Sequence, residues 1–159
     1  MTVTDELLQN AERYAAEFDK GDLPLPPAKH VAILACMDAR LNPYGLLGLE
    51  EGDAHVIRNA GGIVNDEAIR SLVISHHLLG TQEAVVVGHT DCGMLTFTND
   101  DLHEKLGPEA ESIDFEPFPD VADRVRQSVE TIRSHPLLPD SFEATGFVYD
   151  VRSGAIEPV

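Results

Sequence analysis

Two short runs, residues 30–35 (HVAILA) and 83–88 (EAVVVG), are apolar almost without a break, and a third, weaker run lies between them at 54–57 (AHVI). A strand with water on one face alternates apolar and polar side chains, whereas a strand covered on both faces does not. Runs of this kind therefore belong inside a parallel sheet. The segments between them read as helices. Residues 65–79 place Ala68, Ile69, Leu72, Val73, His76 and Leu79 on one face, with Asn65 or Asp66 to cap the start and Gly80 to end the helix. Residues 120–134 repeat the pattern with Val121, Val125, Val129 and Ile132, and residues 42–49 predict a short helix. Strands alternating with helices imply right-handed crossovers. The chain closes with 146–151 (GFVYDV), a turn at 152–154 and residues 155–159, the pattern of a terminal hairpin. The expected fold is α/β: an open, mainly parallel sheet of order 2-1-3-4 with a fifth, antiparallel edge strand, flanked by helices on both faces.

Outside this frame, residues 4–19 carry Leu7, Leu8, Ala11, Tyr14, Ala15 and Phe18 at helical spacing, which predicts an amphipathic helix with Thr4 as N-cap. The stretch 21–27 (GDLPLPP) breaks it. Residues 89–97 are expected to open another helical stretch, and 100–119 to form a helix fragment followed by loop. At 159 residues the chain fits one domain, 1–159, with 1–29 as a helical arm. A domain of this size buries a core without metal or disulfide staples, which leaves any metal free for function.

The net charge of -17 is spread from Asp5 to Glu157, and the basic side is mostly Arg, with only Lys20, Lys29 and Lys105 as lysines. That distribution argues against nucleic-acid binding. Diffuse acidity repels itself and is screened by salt, which fits a protein of a salt-rich cytoplasm as well as an ordinary acidic one. Residues 1–10 carry Asp5 and Glu6 with no apolar signal core behind them, and no run approaches the ~18 apolar residues that span a bilayer. A cytoplasmic chain with no membrane partner is expected. Its two cysteines, Cys36 and Cys92, then stay reduced, which favours metal binding or catalysis over a disulfide.

In an open sheet, ligands bind beyond the carboxyl ends of the strands where the strand order reverses, here between the first and third strands. Cys36 ends the first strand; His89 and Cys92 follow the third. Two thiolates and one imidazole suit zinc, and three protein ligands leave the fourth position open, as in catalytic rather than structural sites. Zinc lowers the pKa of bound water toward ~7, although two thiolates make it a weaker acid, so activity should improve as pH rises. Asp38 is near enough to coordinate the metal or to accept a hydrogen bond from its water. Arg40 can decide which, by forking onto the carboxylate and turning it away; if Arg40 lets go, Asp38 closes the site.

Three motifs, CMDAR at 36–40, RNAGG at 58–62 and GHTDCGM at 88–94, resemble those of the β-class carbonic anhydrases in order and spacing, over about residues 30–98 and in the compact prokaryotic and archaeal form. The resemblance implies one zinc per chain on Cys36, His89 and Cys92, with Asp38 and Arg40 as a catalytic dyad. It implies hydration of carbon dioxide to bicarbonate and a proton by zinc-bound hydroxide, and a homodimer or multiple of dimers. Some members of that family carry an inhibitory bicarbonate site marked by a tryptophan three residues before the first cysteine. Ile33 stands there in this chain, so the site is expected to be missing. Relatives hydrolyse carbonyl sulfide or carbon disulfide with similar ligands, which leaves substrate open between these and carbon dioxide.

Two other readings use the same residues: a binding protein with a structural zinc closed permanently by Asp38, and a thiol enzyme using Cys36 or Cys92. Arg58 and Asn59 are expected to be structural, tying the second strand's loop to the site or to a partner chain, and Gly61 and Gly62 to bring backbone against an apolar pocket. Adjacent His76 and His77 are expected to point apart on their helix.

Overall fold

The structure is a computed structural model of residues 1–159. Five strands form one sheet: β1 (Val31–Cys36), β2 (Ala54–Asn59), β3 (Glu83–His89), β4 (Glu143–Tyr149) and β5 (Ile156–Pro158). Their order is β2-β1-β3-β4-β5, with the first four parallel and β5 antiparallel to β4. This is the expected topology. β1 is buried along its whole length because it has a strand on either side and side chains packed on both faces.

The period-two alternation of β1 divides the core. Ala32 and Leu34 face α3 (Asp66–Leu79) and α5 (Val121–Arg133), in a cluster with Leu72, Val86, Val129 and Ile132. Val31, Ile33 and Ala35 face the opposite way, toward Leu41, Ile63, Met94 and Phe118, with Leu46 and Leu47 of α2 (Pro43–Leu47) at the margin. The helices therefore cover the two faces unequally. From β1 the chain moves outward to β2 through α2, then reverses and crosses β1 to β3 through α3. It continues the same way to β4 through α5. Right-handed crossovers in opposite directions put α2 on one face and both long helices on the other. α5 can lie close because the next-to-last residue of β3 is Gly88, where a Cβ would stand 2.7 Å from Val125 Cγ2.

Local boundaries differ from expectation where side-chain capping or strand pairing decides them. α1 (Val3–Glu17) is capped by Thr2, not Thr4. Thr2 Oγ1 accepts from the Asp5 amide while the Asp5 carboxylate accepts from the Thr2 amide, at 2.7 Å. A cap at Thr4 would set Leu7 in the reciprocal position, where no such bond is possible. β4 begins three residues earlier than predicted because Glu143, Ala144 and Thr145 pair with Glu83, Ala84 and Val85. It stops at Tyr149, where the Asp150 carboxylate accepts the Arg152 amide and starts the turn to β5. The stretch after Cys92 is one 3-10 turn, Gly93–Leu95, followed by α4 (Asn99–Leu106). On α3 the inward row includes Ser75, whose hydroxyl bonds to Thr81 and His55. His76 and His77 do not point fully apart: their rings meet edge to face at 4.7 Å, each with one nitrogen on a backbone carbonyl, Thr81 and Leu137 respectively. No helix is long and apolar enough to cross a membrane.

Candidate metal centre

β1 and β3 are neighbours, and their carboxyl ends deliver Cys36 and His89 side by side. The loop after β3 turns back through Asp91, which takes a left-handed backbone with φ 55°, and so returns Cys92 to the same spot. One ligand atom from each of Cys36, His89 and Cys92 lies within 4.8 Å of the others, and all three residues are buried. The RNAGG turn closes the floor. Arg58 donates to the Cys36 carbonyl from Nε and Nη2, at 2.9 and 2.7 Å, and to the Asp38 carbonyl at 2.8 Å. Asn59 exchanges two hydrogen bonds with the Ile63 backbone. Gly62, at φ 60°, passes so close to β1 that a Cβ would lie 2.6 Å from the Cys36 amide nitrogen. Arg58 and Asn59 are thus structural, as expected.

Electrostatics prepare the three side chains for a cation. His89 Nδ1 lies 2.8 Å from the Thr90 carbonyl, which can only accept, so the proton sits on Nδ1 and the Nε2 lone pair faces the sulfurs. His89 is 1 % exposed, yet Nε2 has no hydrogen-bond partner. A buried nitrogen left unpaired calls for an occupant. The Cys92 thiol beside Cys36 pulls the Cys36 pKa far below that of a free thiol, against the effect of burial. The same contact, with burial, drives Cys92 upward. Two sulfurs competing for one proton is a conflict that a divalent cation removes by taking both as thiolates. Burial opposes a charge on His89, but the Cys36 side chain beside it, the bond to the Thr90 carbonyl and the nearby Asp38 charge raise its pKa overall. The donor set fits a borderline-soft, tetrahedral metal.

Asp38 stands beside this cluster, with Oδ2 3.7 Å from His89 Nε2. Arg40 forks onto it as expected, Nε to Oδ1 at 3.0 Å and Nη2 to Oδ2 at 2.8 Å, and the Arg40 amide adds a bond to Oδ1 at 2.8 Å. These bonds hold the Asp38 carboxyl well below the usual carboxylate range. Sequence reasoning missed what lies behind Arg40: Asp91 takes Nη1 on its carboxylate at 2.8 Å and Nη2 on its carbonyl at 2.9 Å. The only signal for it was a charge between two candidate ligands, and its partner is 51 positions away.

A cavity of about 390 Å³ opens on Cys36, Asp38 and Cys92, with Met37, Gly61, Met94 and Phe97 among its walls. Gly61 lies in this wall and Gly62 beneath it. No histidine lines the cavity. A larger hollow of about 590 Å³ lies beyond β3 and β4 among Asp91, Asp120, Asp150 and Glu157, and excludes the cysteines and His89.

An open, mainly parallel sheet with a buried Cys-His-Cys cluster at its switch point defines a candidate α/β metalloprotein. Comparison with known proteins makes that class specific. The family model described as carbonic anhydrase matches residues 31–114. Beta-carbonic anhydrase 1 of Mycobacterium bovis is 51% identical over 162 aligned positions, covering 100% of this chain and 99% of that protein. The crystal structure of carbonic anhydrase from Streptococcus mutans superposes with a TM-score of 0.93 at 43% identity, over 100% of this chain and 98% of that one. A carbon disulfide hydrolase from an Acidianus strain is 34% identical over 94% of this chain and 85% of its own length. The chain belongs to the β-class carbonic anhydrase family.

Proposed function

We propose that this chain is a zinc enzyme that interconverts carbon dioxide and water with bicarbonate and a proton, holding one zinc on Cys36, His89 and Cys92 and using Asp38 and Arg40 as its catalytic pair. The observation that carries this reading is the buried, unpartnered His89 Nε2 among two sulfurs, with one clamped carboxylate beside it and an apolar cavity in front. Zinc bound there supplies acidity, bringing the pKa of a water into the range where a nucleophile exists near neutral pH. Asp38 stays ionised and is held by Arg40, so it accepts a hydrogen bond and aims the nucleophile's remaining lone pairs into the cavity. Met94 and Phe97 offer a linear, uncharged triatomic a dry wall and offer an anionic product little to hold it. No histidine of this chain lines the cavity to relay the proton. His30, His76, His77 and His103 each hydrogen-bond a backbone carbonyl away from the cavity, and His55 bonds Ser75.

The whole-length relative named beta-carbonic anhydrase favours carbon dioxide; the more distant one named carbon disulfide hydrolase keeps a second reading, hydrolysis of carbonyl sulfide or carbon disulfide, worth testing. Stopped-flow hydration of carbon dioxide with a pH indicator, on zinc-loaded protein, is the test, run beside carbonyl sulfide and carbon disulfide. Acceleration that rises from neutral to alkaline pH is expected. No acceleration at any pH, in low or high salt, refutes the proposal, and faster turnover of a sulfur substrate moves the assignment to the second reading.

The same reading treats 1–159 as one domain with 1–29 as an arm that docks on a second copy. No residue of α1 is buried; Leu7, Leu8, Tyr14 and Phe18 are exposed, and the tethers to its own chain are Tyr14 and Lys20 on Glu51. A helix with an apolar face and no cover of its own fits a homodimer, or a multiple of dimers, which light scattering on the full chain checks: a monomer at micromolar concentration refutes it. Two buried free thiols support a reducing, cytoplasmic setting.

A further inference from the structure

The Asp38–Arg40 pair is anchored from outside, and we propose that Asp91 is a positioning residue that selects the outward, open orientation of Asp38. The inference rests on the metal reading above. Arg40 spends its donors evenly: two on the Asp38 carboxylate, one on the Asp91 carboxylate and one on the Asp91 carbonyl. Asp91 can present both oxygens to one guanidinium because its backbone is left-handed, which turns the carbonyl and the side chain to the same side. Asp tolerates that conformation better than most residues.

What the anchor achieves follows from distances. Asp38 Oδ2 is already 3.7 Å from His89 Nε2, so a modest turn of the carboxylate brings it into the ligand cluster as a fourth donor. Arg40 opposes that turn only while it is itself held. Its side chain is 47% exposed, and a half-exposed arginine has many rotamers to visit. With Asp91 present, the fork has a fixed far end. Asp91 also belongs to the loop that carries His89 and Cys92, so one residue ties the loop bearing two candidate ligands to the segment bearing the third.

The test uses full-length protein loaded with cobalt in place of zinc, with thiocyanate as a probe of the fourth position, followed by visible absorption. If Asp91 holds Asp38 outward, Asp91→Ala lets the carboxylate compete with thiocyanate, and thiocyanate affinity falls about five- to tenfold, the effect expected for losing half of a charged hydrogen-bond set. Asp91→Asn, which keeps one side-chain acceptor and the carbonyl, falls in between and guards against a loop that merely misfolds. In an Asp38→Asn background, Asp91→Ala should change thiocyanate affinity by less than about twofold, because no carboxylate remains to swing in. A loss that persists in that background, or parent-like affinity in Asp91→Ala, overturns the inference while leaving the metal centre standing. A parent protein that takes up no cobalt overturns both.

Discussion

Replacing Gly62 by alanine tests the construction of the site from the backbone upward. The new Cβ would sit 2.6 Å from the Cys36 amide nitrogen and 2.9 Å from the Ala35 carbonyl carbon, both main-chain atoms of the central strand that no rotamer change can move. Alanine must also adopt φ near 60°, which costs a residue with a Cβ about 1–2 kcal/mol. Relieving an overpacked contact by backbone shift costs about 1–3 kcal/mol more. Together these predict about 2–5 kcal/mol of destabilisation, or about 5–15 °C in thermal midpoint for a domain of this size. The displaced atoms form the peptide bond that leads into Cys36, so zinc affinity, read by competition with a chromophoric chelator, should fall in the same variant. Gly93→Ala is the control. Gly93 adjoins Cys92, but nothing lies within 4 Å of its Cβ position, and its backbone is not left-handed, so stability should stay within about 0.5 kcal/mol of the parent. A Gly62→Ala protein that unfolds at the parental temperature and binds zinc at parental strength refutes the close-approach argument.

Four further outcomes follow from the same geometry. Asp38→Asn should retain zinc by elemental analysis while losing about a hundredfold in hydration rate, whereas Cys92→Ala should lose the metal; a fully active Asp38→Asn removes the dyad from the mechanism. Because the Asp38 pKa is depressed by Arg40, its contribution to stability is complete above the ordinary carboxylate range and is lost as pH falls through the lowered folded value. The urea-measured gap between parent and Asp38→Asn should therefore be constant from pH 8 to 5 and shrink at more acid pH; a gap that widens on acidification contradicts the clamp. Net charge of -17 predicts that raising potassium chloride from low concentration to about 1 M raises the thermal midpoint, and a fall would show that specific ion pairs outweigh the general repulsion. Iodoacetamide should modify Cys36 and Cys92 only after zinc is stripped, and mass spectrometry showing modification of the zinc-loaded protein would argue for a thiol enzyme instead.

Much of this was legible because the informative patterns are local. The unbroken apolar run around Ile33 announces a strand buried on both faces, and α3 is bracketed by Asn65, one of the two candidate caps, and by Gly80. Topology then converts two local motifs into one site, since a parallel β1–β3 pair must end with Cys36 beside His89. The errors have a common physical origin in partners that spacing does not reveal. Thr4 and Thr2 look alike as caps until the reciprocal residue is considered. The start of β4 is decided by pairing with Glu83–Val85, not by its own pattern. Asp91 is invisible to any reading that treats the loop between His89 and Cys92 as a spacer.

The unequal cover of the two faces has a consequence for where chemistry can sit. Fully buried Leu72 and Ile132 on the α3–α5 side, each worth about 1.5–3 kcal/mol by burial, pin β1 and β3 through Leu34 and Val86. Position at the strand ends is thereby set by a face that takes no part in the site. The other face carries the cysteines among Met94, Phe118 and Ile63, beneath a short helix and loops instead of a long helix. Thin cover there leaves a cavity reaching the candidate metal ligands, and it leaves Arg40 half-exposed and Asp38 partly so, where the bonds from Arg40 outweigh the cost of burying the carboxylate's charge. A thick helical layer on that face would bury the carboxylate and close the cavity. The reversal of strand order at β1 therefore does two things at once: it brings Cys36 to His89, and it sends the long crossover helices to the side where they cannot obstruct them.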